Sequence, residues 1–259
     1  AANHIFASAP RDGTAIGMIQ SGVAFEPLYG NAAARFDAQK FSWIGSINAE
    51  VSTCQAWHRS PVQTFQEAFT KEMAVGGTGT GADSNLFPQV LNGVLGTKLK
   101  LVGGYPGVAP ILLAIERGEL DGICGVYWSS ILSLRPQWFR DGLMKPLVQL
   151  AIDKHPMHQN VPLATDLAKT PSDRLAMELI FAPMKFARPF MGPPGLAPDR
   201  LAALRRAFDA TMKDAAFLEE AEKMKLEVGP LTGPQIEALL EKLYAAPPEV
   251  VQRARVGRN

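Results

Sequence analysis

Between Met73 and Trp128 the chain repeats one pattern: a short apolar run closed by glycine, then a helical period. MAVGG (73–77) is the first such run. In SNLFPQVLNGVLG (84–96), Leu86, Val90, Leu91 and Val94 recur at helical spacing, and Gly96 is placed to stop the helix. Pro88 falls in or near the first turn, where its missing N–H costs little. KLKLVGGY (98–105) alternates Leu99 and Leu101 with Lys98 and Lys100, a half-buried strand ending in two glycines. GVAPILLAIERGEL (107–120) reads as a helix with Pro110 near its start and Gly118 past its end. DGICGVYW (121–128) supplies a further strand. Strands alternating with helices predict a parallel α/β sheet.

The flanks carry similar pieces. GTAIGMI (13–19), FSWIGSI (41–47) and KPLVQLAI (145–152) are strand-like, and SDRLAMELIFAPM (172–184) is a helix running into a short extended piece. RPFMGPPGLAPDR (188–200) reads as a rigid extended connection. The region after it is helical, with Leu201, Leu204, Phe208 and Met212 on one face. TGPQIEALLEKLYAA (232–246) is a last helix, with Thr232 and Gln235 spaced as a capping box.

A chain of 259 residues has room for one large core or two lobes. With 26 Lys and Arg against 25 Asp and Glu, the net charge is +1, so no basic field points to nucleic acid. The longest apolar runs, such as 111–115, fall far short of the roughly 20 residues of a membrane helix. The sequence opens on Ala1-Ala2-Asn3 with neither initiator Met nor signal peptide and reads as a mature or trimmed form. For Cys54 and Cys124, one disulfide and two buried thiols are both open, and their apolar surroundings favour the thiols. Neither has a histidine–acid partner at a diagnostic spacing, so no metal or catalytic role is expected of them.

Chemistry concentrates in VGGTGTGADSN (75–85), with four glycines in eleven residues. A P-loop needs Lys-Ser/Thr after its last glycine, where this chain has Ala82-Asp83. Gly77, Gly79 and Ala82 fit the dinucleotide fingerprint loosely, but the acidic residue expected about 20 residues on is replaced by basic Lys98 and Lys100. These lysines suit a 2′-phosphate, so an NADP-dependent α/β oxidoreductase is the alternative, with Asp83 beside the pyrophosphate against it. A glycine loop between a strand and a helix also presents backbone N–H groups and a helix dipole to a carboxylate. Thr78, Thr80 and Ser84 add hydroxyls. GGYPG (103–107) forms a second such loop, and neighbouring parallel strands aim both at one place. On the plainer reading both are tight turns. A branched side chain at Gly79 is expected to block the anion and to resist a positive φ. Cys54 with His58, and Asp153, His155 and His158, lack the further ligands of a zinc site, and the histidines read as a solvated loop. There is no G-x-S-x-G and no H-E-x-x-H, so no enzyme activity, metal or cofactor is expected.

GTGTGADSN…LNGVLGTKLKLVGGYPGVAPILLAIERGELDG resembles the solute receptors of tripartite tricarboxylate transporters, the periplasmic TctC or Bug proteins. PRDGTAIGM (10–18), SPVQTFQE (60–67), NVPLATDL (160–167) and RPFMGPPGLAPDRLAALRRAFDATMKD (188–214) extend the resemblance over nearly the whole chain. It implies a type II-like, two-lobed α/β periplasmic binding protein with Rossmann-like lobes joined by two extended crossings, around 55–61 and 184–194. Lobe 1 would hold residues 1–57 and 185–259, and lobe 2 residues 58–184. The implied function is to bind a small organic carboxylate in an interlobe cleft and deliver it to membrane transporter subunits; a receptor that signals rather than transports is the other reading. The implied ligand-binding set is Thr78, Gly79, Thr80, Gly81 and Ser84, with Tyr105, with Ser21 and Gly22 from the opposite lobe, and with Asp121, which also suits a helix–strand turn. Neither glycine loop holds Arg or Lys, so recognition would rest on dipoles and bridging waters, as in the family. Family members begin with a signal peptide, a first strand, a glycine-rich first ligand loop with an acidic residue, and a first helix. Their counterpart is not in the sequence before Ala1; taken as the complete chain, it is expected to have one lobe without its central strand and a pocket without one wall.

Overall fold

The computed structural model describes residues 1–79, 81–224 and 226–255. Its strands are β1 (Gly17–Met18), β2 (Ser42–Ser46), β3 (Ser52–Trp57), β4 (Met73–Gly76), β5 (Leu99–Val102), β6 (Gly122–Tyr127), β7 (Met144–Leu150), β8 (Pro189–Gly192) and β9 (Leu231–Thr232). Its α-helices are α1 (Ala2–Ala7), α2 (Asp83–Val90), α3 (Val108–Glu116), α4 (Trp128–Leu134), α5 (Pro136–Arg140), α6 (Pro171–Phe181), α7 (Pro198–Thr211), α8 (Ala215–Lys223), α9 (Gly233–Tyr244) and α10 (Pro248–Arg253).

The chain divides into two compact units, each with its own sheet. The first comprises Ala1–Glu50 and Ala182–Val251; the second comprises Val51–Phe181 and the chain from Gln252. The first boundary falls before β3 rather than after it, because β3 is hydrogen-bonded between β6 and β7 of the second unit. The chain passes between units three times, not twice, since α10 straddles Val251 and Gln252. Nor is the second passage extended: α6 runs directly into a 3-10 turn, Ala182–Phe186, where an extended piece was expected.

In the second unit the strand order is β5-β4-β6-β3-β7. Only β5, β4 and β6 are parallel; β3 runs antiparallel to both β6 and β7, so the sheet is mixed. Cys54 therefore faces Cys124 across an antiparallel pair, and the two are joined as a disulfide. This corrects the expectation of two buried thiols: both side chains are apolar in their surroundings, but strand pairing brings their sulfurs together. The core on one side of the sheet is built from Trp57, Ile111, Leu112, Ile115, Ile123, Ile131, Trp138 and Met144. Each such side chain contributes about 1.5–3 kcal/mol on burial.

Helix α2 continues as a wider turn, Leu91–Leu95, and ends at Gly96, whose φ of +85° only glycine adopts without strain. Asn92 ties this end to β5: its side-chain oxygen accepts from Leu99 N–H at 2.9 Å, and its Nδ2 donates to Leu99 C=O at 2.8 Å. At the other end of the unit's chain, Arg253 pairs with the buried Asp173 at the start of α6, which fastens α10 to it. Burial pushes the Asp173 carboxyl up, but hydrogen bonds from Thr170 and Arg253 and the Arg253 charge outweigh that and hold it below the usual carboxylate range. His158 is buried against Trp128, ring centroids 4.1 Å apart, and not part of a solvated loop.

The first unit's sheet has the order β1-β8-β2-β9, with every pair antiparallel. Residues 189–192, expected as a connection, form β8 inside this sheet; Pro189 is tolerated because it is the strand's first residue. Trp43, Phe25 and Phe186 fill the core, and the Trp43 Nε1–H donates to Ala38 C=O at 2.9 Å. Helix α7 lies so close to β2 that a Cβ on Gly45 would overlap the Phe208 ring. Thr232 and Gln235 form the expected capping box of α9, though α10 follows it. No helix among the described residues is long and apolar enough to cross a membrane.

Candidate functional site

The glycine loop 77–82 leaves the C-terminal end of β4 and enters α2. Two neighbours require Gly76 to lack a side chain: a Cβ there would come within 2.7 Å of Ile111 and 2.8 Å of Leu120. Beneath the helix start, a Cβ on Gly125 of β6 would overlap the Asp83 carbonyl, and the φ of +78° at Gly125 suits glycine alone. The start of α2 is thereby seated directly on the sheet.

Within the loop, donors that the sequence offers to a ligand are turned inward. The Thr78 N–H donates to Ser84 Oγ at 3.1 Å, and the Gly79 N–H donates to Asn85 Oδ1 at 3.1 Å. The Thr78 and Ser84 hydroxyls share a further hydrogen bond at 3.0 Å. Gly81 adopts φ +81°, and the Ala82 N–H donates to Gly79 C=O at 3.1 Å. Ala82, the N-cap of α2, has no side-chain cap. Thr80 lies outside the described residues.

The second loop lies beside the first because β4 and β5 pair in parallel, Gly76 opposite Val102. The Gly77 N–H donates to Val102 C=O at 2.9 Å and the Tyr105 N–H to Gly77 C=O at 3.2 Å, which links the loops. Tyr105 thus enters through its backbone; its half-buried side chain packs against the unit's core.

Of the other expected residues, Asp121 lies in the same unit as the loop, and Ser21 and Gly22 lie in the first unit. Asp121 precedes β6 and accepts from the Ala74 N–H at 2.8 Å. That places it at the opposite end of β4, about three residues or 10 Å short of the loop. It fastens the α3–β6 turn, the structural role the sequence also allowed. Ser21 and Gly22 belong to the first unit, at the start of a 3-10 turn, Ser21–Phe25. Ser21 is buried, and its hydroxyl has no hydrogen-bond partner among the described residues. Lys98 and Lys100, the cations of the NADP alternative, sit at the start of β5; Lys100 pairs with Glu72 at 3.2 Å and Lys98 Nζ donates to Thr70 C=O at 3.3 Å. Neither lies at the loop end of the sheet.

The residue that sequence reasoning missed is Asn85. Its one signal was position: a carboxamide in the first turn of a helix reaches back to loop N–H groups, while asparagine inside a helix has no such use.

The two sheets, the mixed strand order and the glycine loops at the ends of parallel strands define a two-unit α/β fold. No family model matches the sequence, and no curated protein matches it. Among solved structures, a TctC solute-binding protein from Polaromonas, without ligand, aligns with TM-score 0.70 and 16% identity, covering 94% of this chain and 79% of that one. The periplasmic binding protein BugD aligns with TM-score 0.62 and 18% identity over 98% of this chain and 82% of its own. An R. palustris protein solved with adipate gives TM-score 0.62 at 15% identity, with 98% and 82% covered. MatC of Rhodopseudomonas palustris, with bound malate, gives 0.57 at 17% identity, with 99% and 82% covered. The chain has the fold of the TctC and Bug periplasmic solute-binding proteins.

Proposed function

We propose that this chain is an extracytoplasmic receptor of the TctC/Bug kind, which binds a small organic carboxylate at the paired glycine loops and delivers it to the membrane subunits of a tripartite tricarboxylate-type transporter. The observation that carries the reading is the Thr78–Ser84 hydroxyl pair at the start of α2. Two hydroxyls carry two protons, and their mutual hydrogen bond at 3.0 Å uses one. The other is available to an acceptor, whichever hydroxyl donates within the pair. The positive end of α2 favours an anion at the same place by roughly 0.3–1 kcal/mol. With no Arg or Lys in 75–85 or 103–107, binding rests on dipoles.

Two neighbours in fold carry adipate and malate, which supports a carboxylate as ligand. A periplasmic location is supported by the Cys54–Cys124 disulfide, since such bonds persist in oxidising compartments. Calorimetric titration with acetate, malate, adipate, citrate and NADPH tests the reading. At least one carboxylate is expected to bind saturably and NADPH not to bind. Thr78→Val, which removes one hydroxyl of the pair, should weaken binding about tenfold, the value of a single hydrogen bond to a charged acceptor. Binding of NADPH with no response to any carboxylate would refute it.

A further inference from the structure

The Asn85 carboxamide sits between the two glycine loops. A Cβ on Gly77 would come within 2.9 Å of its Cγ, and the position of a Cβ on Gly103 is 3.9 Å from its Nδ2. Its orientation is set by chemistry: the Gly79 N–H requires an acceptor, so the oxygen faces the first loop and the amino group faces the second. Among the described residues nothing accepts from that amino group, whose nitrogen is not among the buried side-chain atoms left without a partner. The carboxamide is half-buried. One side chain thus fixes the first loop with its oxygen and, among the described residues, holds two unused N–H donors at the second.

We infer that Asn85 is a specificity-determining residue of the receptor, its Nδ2 donating to a ligand carboxylate between the loops. The inference rests on the function proposed above. The leftover hydroxyl proton of the Thr78–Ser84 pair and the two Asn85 protons make a site with donors and no cation. Such a site suits an acceptor-only group, a deprotonated carboxylate, and disfavours an amide or alcohol in its place, whose N–H or O–H would meet another donor. The same carboxamide explains why Gly77 carries no side chain: any Cβ would push the amide off the Gly79 N–H.

Asn85→Asp separates donation from bracing. It keeps an oxygen for the Gly79 N–H and replaces the amino group with a second oxygen. We expect native unfolding behaviour and binding of the best carboxylate from the panel about 10- to 100-fold weaker than wild type. Titrations at 0.05 and 0.5 M NaCl distinguish a lost donor from charge repulsion, because screening relieves only the latter. In wild type, the Asn85 side-chain amide signals, assigned by their loss in the variant, should shift on saturation with that carboxylate. Wild-type affinity in Asn85→Asp, recovery of affinity in high salt, or unmoved side-chain signals would each overturn the assignment while leaving a carboxylate receptor in place. If wild type binds no carboxylate at all, the proposed function falls and this inference with it.

Discussion

Gly77→Ala should be the most damaging single-methyl change in the binding loop, although Gly77 is not its most exposed glycine. The added Cβ would lie 2.7 Å from Leu101 Cδ1 and 2.9 Å from Asn85 Cγ, distances that require something to move. Overpacking of this kind costs about 1–3 kcal/mol. Displacing Asn85 also breaks the 3.1 Å bond from the Gly79 N–H, adding about 1 kcal/mol, for about 2–4 kcal/mol together. Gly79→Ala is the internal control: apart from its chain neighbours, no atom of the described residues lies within 4 Å of its Cβ position, and its φ is not positive. It should change stability by less than about 0.5 kcal/mol. Gly81→Ala falls between, about 1 kcal/mol, because its space is open but its φ is +81°. Urea unfolding followed by tryptophan fluorescence reads all three, since Trp57, Trp128 and Trp138 lie in the same unit. At a slope of about 2–3 kcal/mol per molar, Gly77→Ala lowers the midpoint by roughly 1 M. Equal midpoints for Gly77→Ala and Gly79→Ala would refute the argument that Asn85 and Leu101 occupy the Gly77 side-chain position.

The disulfide closes a loop of 70 residues, which corresponds to about 4 kcal/mol in the chain-entropy account, so Cys54→Ala/Cys124→Ala should lose about that much in denaturant titration. Two titratable thiols in unreduced, unfolded wild type would show that the bond is absent. Asp173→Asn should destabilise by about 1–3 kcal/mol at pH 7, because the ion pair with Arg253 is lost. The folded-state carboxyl lies below the ordinary aspartate value of 3.8, so its contribution is present above that pH and disappears as pH falls through the lower folded value. The gap between wild type and Asp173→Asn should therefore close below about pH 4; a gap independent of pH would remove the ion pair as its cause.

Local patterns in the sequence were enough for the β4–α2–β5–α3–β6 succession, the stop at Gly96 and the Thr232–Gln235 capping box. Each depends on residues within a few positions of one another, where periodicity and φ preferences act directly. The glycine loop was legible for the same reason. Sequence reasoning placed the value of Gly79 in a positive φ, yet the left-handed residue is Gly81, and Gly77 is the glycine that a side chain would damage. What the sequence could not hold was long-range pairing. Cys54 and Cys124 become a disulfide only because β3 turns antiparallel to β6, a choice made by the sheet and not by either cysteine's neighbours. PFMG (189–192) reads as a linker by its proline and glycine, but strands on both sides supply the hydrogen bonds that make it β8. Asp121 and the Thr78 loop are both near strand ends in sequence; the parallel register puts them at opposite ends of β4. Asn85 shows the limit most clearly. Its helix position is local information, but its place between Gly77 and Gly103 exists only once β4 and β5 lie side by side, because hydrogen-bond geometry is decided by what tertiary structure brings within 3 Å.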